Sequence, residues 1–182
     1  MKDTPFEIVR AQGQDAAALL EYLKIVGGET QNLSFGAEGV LLDVEAEQAY
    51  LDMQAQSRDH LQLLAKVNGE IIGTASLNRK PNRMSHRAEF GISLKKAWWG
   101  CGAASALAQG VLAFAKESGV QQVNLEVRSD NKRAIALYEK LGFRKLFTFP
   151  GFFMINGELV DFDFMNLTFS PAAPNETENK AL

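Results

Sequence analysis

Between Ile92 and Ser105 the chain reads Ile92-Ser93-Leu94, then Lys95-Lys96-Ala97-Trp98-Trp99-Gly100-Cys101-Gly102, then Ala103-Ala104-Ser105 at the head of an alanine-rich stretch. A strand, a turn with two glycines and a helix follow one another without slack, which calls for a layer of sheet with helices packed on it. Glycines let backbone approach a ligand closely, and the first amides of a helix point outward unpaired. The positive end of the helix dipole adds to this, so the turn suits a pyrophosphate. Ala103, Ala104, Ala106 and Ala108 keep the helix start slim enough for a bulky ligand to lie against it. No Gly-Lys-Ser/Thr follows, and the three-glycine dinucleotide pattern is missing, so neither of those phosphate loops applies. Taken alone, the stretch is explained equally well by a glycine turn ahead of a packing helix.

The remaining segments supply the other layers. Phe6 to Ala11 alternates as a half-buried strand, and Asp15 precedes Ala16 to Leu23 as the cap of a helix that Gly27-Gly28 should stop. Gly27 to Gly39 reads as a loop, and Glu45 to Gln56 carries apolar residues at helical spacing. Leu61 to Val67 and Glu70 to Leu77 are β-rich runs joined at Asn68-Gly69, a hairpin signal that returns at Asn156-Gly157 between Phe143–Phe153 and Leu159–Phe169. Ala88 to Leu94 and Val123 to Val127 are further strands, separated by a loop and the helix Ala103 to Ser118. Asn131 to Leu141 is a last helix before Gly142. The order predicts an α/β (α+β) fold, a mixed sheet of about seven strands with helices on both faces. Residues 1–169 are expected to form one domain, and 170–182, polar and proline-bearing, a disordered tail.

The most specific block is Leu125-Glu126-Val127-Arg128-Ser129-Asp130-Asn131-Lys132-Arg133-Ala134-Ile135-Ala136-Leu137-Tyr138-Glu139-Lys140-Leu141-Gly142-Phe143. It resembles the second cofactor motif of the GNAT superfamily of N-acetyltransferases: an Asn, an Ala three residues on, a Tyr seven residues on, and a closing Leu-Gly-Phe. The first motif of that family, Gln/Arg-x-x-Gly-x-Gly/Ala, is matched by Trp99-Gly100-Cys101-Gly102-Ala103-Ala104. Trp99 departs from the usual Gln or Arg, which removes a side-chain donor and leaves the backbone amides. The resemblance implies a sheet splayed between strands 4 and 5, with acetyl-coenzyme A as co-substrate and its pantetheine arm in the splay. It also implies that backbone near Leu94 bonds the cofactor and polarises the thioester. Amides of Trp99, Gly100, Cys101, Gly102, Ala103, Ala104 and Ser105 would hold the pyrophosphate, and Asn131 would reach the pantetheine.

The implied reaction is direct attack of a primary amine, from a small molecule or peptide, on the acetyl group in a ternary complex. An alkyl amine with a pKa of about 10.4 is protonated near neutrality, so a base is useful, and the departing thiolate needs an acid. By resemblance Tyr138 is the acid; otherwise it is an aromatic anchor with Ile135, Leu137 and Leu141. Two carboxylates compete for the base. Alternation puts Glu126 on the polar face of its strand, and Glu-Val-Arg-x-x-Asn is similar to the ribosomal-protein alanine acetyltransferase branch, where the matching Glu is the base. Glu89 lies one strand over and also resembles a common family carboxylate, and either residue is alternatively a solvated or salt-bridged strand residue.

Other residues carry blander readings. His60 and His86 lie 26 positions apart with no ligand spacing, so no metal is expected. Cys101, the only cysteine, is read as structural and argues against a disulfide framework. Phe147, Phe149, Phe152 and Phe153 are read as core in preference to a substrate cage, and Asp161 and Asp163 as a solvated strand face. Glu29, Glu38, Asp161 and Asp163 are compatible with a cationic acceptor. With a net charge of −3 and no basic cluster, nucleic acid is not an expected partner. Nor is a membrane, since no apolar stretch or signal stands out, and a cytoplasmic monomer or homodimer is expected. An acyl-coenzyme A-binding module without turnover, or a transferase of a larger acyl group, shares the same motifs.

Overall fold

The structure is a computed structural model that describes residues 4–169; the expected tail over 170–182 lies outside the described residues. The elements run β1 (Glu7–Arg10), α1 (Ala16–Glu29), α2 (Val44–Ala55), β2 (His60–Val67), β3 (Glu70–Arg79), β4 (Arg87–Leu94), α3 (Ala103–Glu117), β5 (Gln122–Arg128), α4 (Lys132–Lys140), β6 (Arg144–Ile155) and β7 (Glu158–Thr168). They form one seven-stranded sheet in the order β1-β2-β3-β4-β5-β7-β6. Both Asn-Gly hairpins form as the sequence predicts. Asn68 and Gly69 have φ of 49° and 83°, and Asn156 and Gly157 have 52° and 82°, the left-handed pairs that a two-residue hairpin turn requires.

All neighbouring strands are antiparallel except β4 and β5. Those two pair at only three positions, Arg87↔Gln122, Ala88↔Val123 and Glu89↔Asn124, and then part. The sheet is therefore splayed between strands 4 and 5, with helices on both faces.

Two apolar clusters hold the layers. On one face Leu63, Ala65, Ala75, Leu77, Phe90, Leu125 and Val127 pack with Leu107, Ala108 and Val111 of α3 and with Tyr138 of α4. On the other, Leu64 and Ile71 pack with Leu19, Tyr22 and Val26 of α1 and Leu51 of α2. These last two helices lie over β2 and β3. Tyr22 of α1 also reaches the Ser93 hydroxyl of β4 at 2.9 Å, whereas the apolar cluster under these helices takes no residue from β5, β7 or β6.

Two local expectations fail for reasons that are not local. Helix α1 does not stop at Gly27-Gly28 but continues to Glu29. A Cβ on Gly27 would lie 1.9 Å from the Gly36 carbonyl oxygen, so that glycine serves the close approach of the following segment. Asp15 precedes α1 without capping it by its side chain. Its carboxylate instead accepts from the Gln12 amide and pairs with Lys66 Nζ at 2.6 Å, fixing the helix start to β2.

Candidate active site

A cavity of about 1570 Å³ opens where β4 and β5 part, larger than an ordinary small-molecule site of roughly 300–1,000 Å³. One end lies at the turn into α3. There Gly100 and Gly102 adopt φ of 86° and 92°, conformations that suit glycine. The amides of Gly102, Ala103, Ala104 and Ser105 meet no acceptor among the described residues, so four donors converge at the start of a helix of 15 residues. Leu94, Trp99, Gly100, Gly102, Ala104, Ser105 and Asn131 all line the cavity. Cys101 and Ala103 turn their side chains to the core. The slim alanines also divide: Ala103 and Ala108 are small because they pack on the sheet, and Ala104 faces the cavity.

Three details refine these positions. The Trp99 indole donates to the Leu94 carbonyl at 2.9 Å, so that oxygen is engaged. Lys95 donates to Ile72 across β3, and by antiparallel alternation the backbone groups of Phe90, Ile92 and Leu94 turn towards the gap. The Asn131 carboxamide oxygen accepts from the Ala134 amide at 3.2 Å and caps α4. Sequence reasoning missed Arg133, whose guanidinium stacks on Trp99 at 5.0 Å and reaches the Gly100 turn. Its signal was chemical: Trp99 lacks the family's polar side chain, and a cation from α4 stands at that place.

The middle of the cavity holds the titratable groups. Tyr138 is buried, with its ring edge-on to Phe90 at 6.1 Å and tilted on Phe143 at 5.9 Å. Burial pushes its phenol above the ordinary value. Glu126 and Glu89 both project from the opposite sheet face, because Glu89 pairs with Asn124 and residue 126 shares the side of 124. Burial and, next, the Glu89 carboxylate push the Glu126 carboxyl up, with Lys80 opposing. Glu89 is ion-paired to Lys80. Tyr138 thus approaches the splay from the α3–α4 side and the two carboxylates approach it from the other.

The far end is formed by the segment after α1 and by the β6–β7 hairpin. Leu33, Phe35, Phe153, Met154 and Phe162 line it. The aromatic run does not form core as the sequence suggests. Phe147 and Phe149 are 49% and 47% exposed, and neither they nor Phe152 and Phe153 belong to either apolar cluster. Asp163 is not on a solvated face either. It is buried, accepts from Ser129 and Thr148, and pairs with Lys145 at 2.8 Å. Burial alone would raise its carboxyl, but these partners hold it below the usual range. Asp161 is exposed and accepts from the Gly151 amide. No group of three His, Cys, Asp or Glu able to hold a metal occurs among the described residues, and none of their helices is long and apolar enough to cross a membrane.

Residues 31–143 match the Acetyltransferase (GNAT) family. L-amino acid N-acetyltransferase AaaT of Escherichia coli is 36% identical over 57% of this chain and 65% of its own length. A ribosomal protein bS18-alanine N-acetyltransferase of Haemophilus influenzae is 34% identical over 50% of this chain and 60% of its own. The chain therefore spans less than two-thirds of these curated relatives. Among solved structures, a GNAT-family acetyltransferase from Streptococcus pneumoniae superposes with a TM-score of 0.87 at 29% identity, covering 91% of this chain and all of that one. The structure of yncA from Salmonella typhimurium with its cofactor acetyl-CoA superposes with a TM-score of 0.80 at 23% identity, over 94% and 99% of the two chains.

Proposed function

Because the chain belongs to the GNAT family of acetyltransferases, we propose that it moves an acetyl group from acetyl-coenzyme A to a primary amine, with residues 1–169 working as one domain. The observation that carries this reading is the arrangement at the splay, with a buried tyrosine on one side and two carboxylates on the other.

The residues fit the co-substrate. Unpaired amides from Gly102 to Ser105, together with Gly100 and the Arg133 cation, form a cradle for a pyrophosphate. Asn131 keeps its amide nitrogen for the pantetheine arm while its oxygen caps α4. The Leu94 amide faces the gap as a donor for the thioester oxygen, and Trp99 holds that strand end through the Leu94 carbonyl. Once bound, acetyl-coenzyme A supplies an activated acetyl group and a thiolate leaving group.

The chain's own groups then manage the protons. Glu126, with its proton affinity raised by burial and by Glu89, takes a proton from the acceptor ammonium, directly or through water. Glu89, tied to Lys80, stands beside it. After the free amine attacks the thioester carbon, Tyr138, a phenol protonated at neutral pH, donates its proton to the departing sulfur as the C–S bond breaks. The second N–H proton leaves through the water of the cavity, from which the phenolate is reprotonated. Protonation and deprotonation occur on opposite sides of the sheet, so neither group competes for the other's proton.

Thiol release from acetyl-coenzyme A, measured against a panel of primary amines, amino acids and peptides, tests the reading. Turnover with at least one class is expected. Coenzyme A binding without thiol release across the whole panel would overturn it and favour a sensor or scaffold.

A further inference from the structure

We propose that the acceptor is an amine carried on an aromatic substituent, which lies on the phenylalanine wall of the β6–β7 hairpin beside Glu126. This rests on the acetyltransferase reading and names the substrate class of the same site. The wall begins at the carboxylate: Phe164 is the cross-strand partner of Glu126, and Phe162 that of Arg128. Cross-strand partners have Cβ atoms about 4.5–5.5 Å apart, so the rings stand next to where the ammonium must sit.

The wall is continuous. Phe164 stacks on Phe147 at 4.7 Å, and Phe162 meets Phe153 at 4.3 Å and Phe152 at 5.6 Å. It rises from the half of the sheet face that α1 and α2 leave bare. Phe153, Phe162 and the 70% exposed Met154 line the cavity, and Leu33 and Phe35 line it from the segment after α1. A flat ring entering this space buries apolar area on both sides and gains offset or edge contacts with the phenyl groups.

Charge narrows the choice further. Arg128 is held bidentate by Asp130, at 2.7 and 2.9 Å, so it is not an open partner for an anionic acceptor. Of the hairpin carboxylates, Asp163 is on the opposite sheet face with Lys145, and Asp161 is tied to Gly151. Glu158 shares the wall's face but stands at the hairpin tip, beside the Asn156-Gly157 turn, so the stretch of wall next to Glu126 carries rings and no carboxylate of the hairpin. Glu29 and Glu38 also line the cavity, but each already accepts a backbone amide, from Lys96 and Gly36. One cationic nitrogen at Glu126 and Glu89, followed by an apolar ring, therefore matches the hairpin side of the surface.

The test compares kcat/KM for two matched pairs, 2-phenylethylamine against n-propylamine and L-phenylalanine against L-alanine, with spermidine alongside. The ring-bearing member of at least one pair is expected to win by tenfold or more, and the pair that shows it separates a free amine from an amino acid. Phe153→Ala and, independently, the exposed Met154→Asp should bring that ratio towards one. Ratios near one in both pairs, a preference for spermidine, or a ratio unmoved by both variants would overturn the proposal. So would a wall that joins two copies instead, seen as Phe153→Ala lowering the sedimentation mass with the ratio unchanged. If no acceptor releases thiol, the acetyltransferase reading fails by itself. Calorimetric titration of the same compounds onto the coenzyme A-bound chain then decides, with tenfold tighter binding of the ring-bearing member expected and equal binding overturning the inference.

Discussion

At Tyr138 the ring is fixed by Phe90 and Phe143, while the hydroxyl makes no hydrogen bond to any described group. Tyr138→Phe should keep the packing and remove only the proton. Kcat is expected to fall by about 10²–10⁴, the range for losing a general acid, while the Kd for acetyl-coenzyme A, from calorimetry, stays within about threefold. Full turnover in that variant would return Tyr138 to the role of aromatic anchor. Glu126 carries a different prediction. As its carboxyl is pushed up, the acidic limb of kcat/KM should lie above the ordinary Glu value of about 4.3, and Glu126→Gln should lose that limb. Stability follows the same shift. The folded state holds this proton to a higher pH than the unfolded chain, so stability falls as pH rises from the unfolded to the folded pKa. Glu126→Gln should therefore raise Tm at pH 7 in a thermal melt, with the advantage vanishing towards pH 4. The motif made these residues legible. Their surroundings were not, because the Glu89–Lys80 pair and the burial of Glu126 arise across strands.

Among the elements, legibility followed locality. The hairpins at Asn68-Gly69 and Asn156-Gly157 could be read because the turn geometry is set by those two residues. Gly27-Gly28 misled because the same residue type can end a helix or let another chain segment come close. The two glycines differ in this. A Cβ on Gly27 would meet the Gly36 carbonyl oxygen at 1.9 Å, whereas one on Gly28 would touch the Ala37 Cβ at 3.4 Å. Gly27→Ala should destabilise by roughly 1–3 kcal/mol through overpacking. Gly28→Ala should stabilise by about 0.5–1 kcal/mol, the ordinary gain of Ala over Gly in a helix. Urea denaturation of both variants measures the difference, and two equal shifts would contradict the packing account. The aromatic run failed for a related reason: alternation tells which residues share a strand face, not whether a helix covers it.

For the whole molecule, the α/β order, the seven strands and the splay agree with the sequence reading, while the bare half-face beside the splay does not follow from any segment alone. With β4 and β5 joined at three positions, the sheet is two antiparallel halves held by the base of the splay and by helices. A ligand that spans the α3 turn, α4 and both strand edges joins those halves and binds only the folded chain. At a concentration of 100 Kd, acetyl-coenzyme A should add about 2.7 kcal/mol of stability. For a domain of this size, at roughly 2–4 °C per kcal/mol, Tm should rise by about 5–10 °C in a thermal shift measurement. Arg133→Ala should shrink that rise at the same ligand concentration, because the guanidinium on Trp99 stands at the phosphate end. Free acetate, which cannot reach from the splay to the α3 turn, should leave Tm unchanged. A rise with acetate equal to that with acetyl-coenzyme A would show that joining the two halves is not what stabilises the fold.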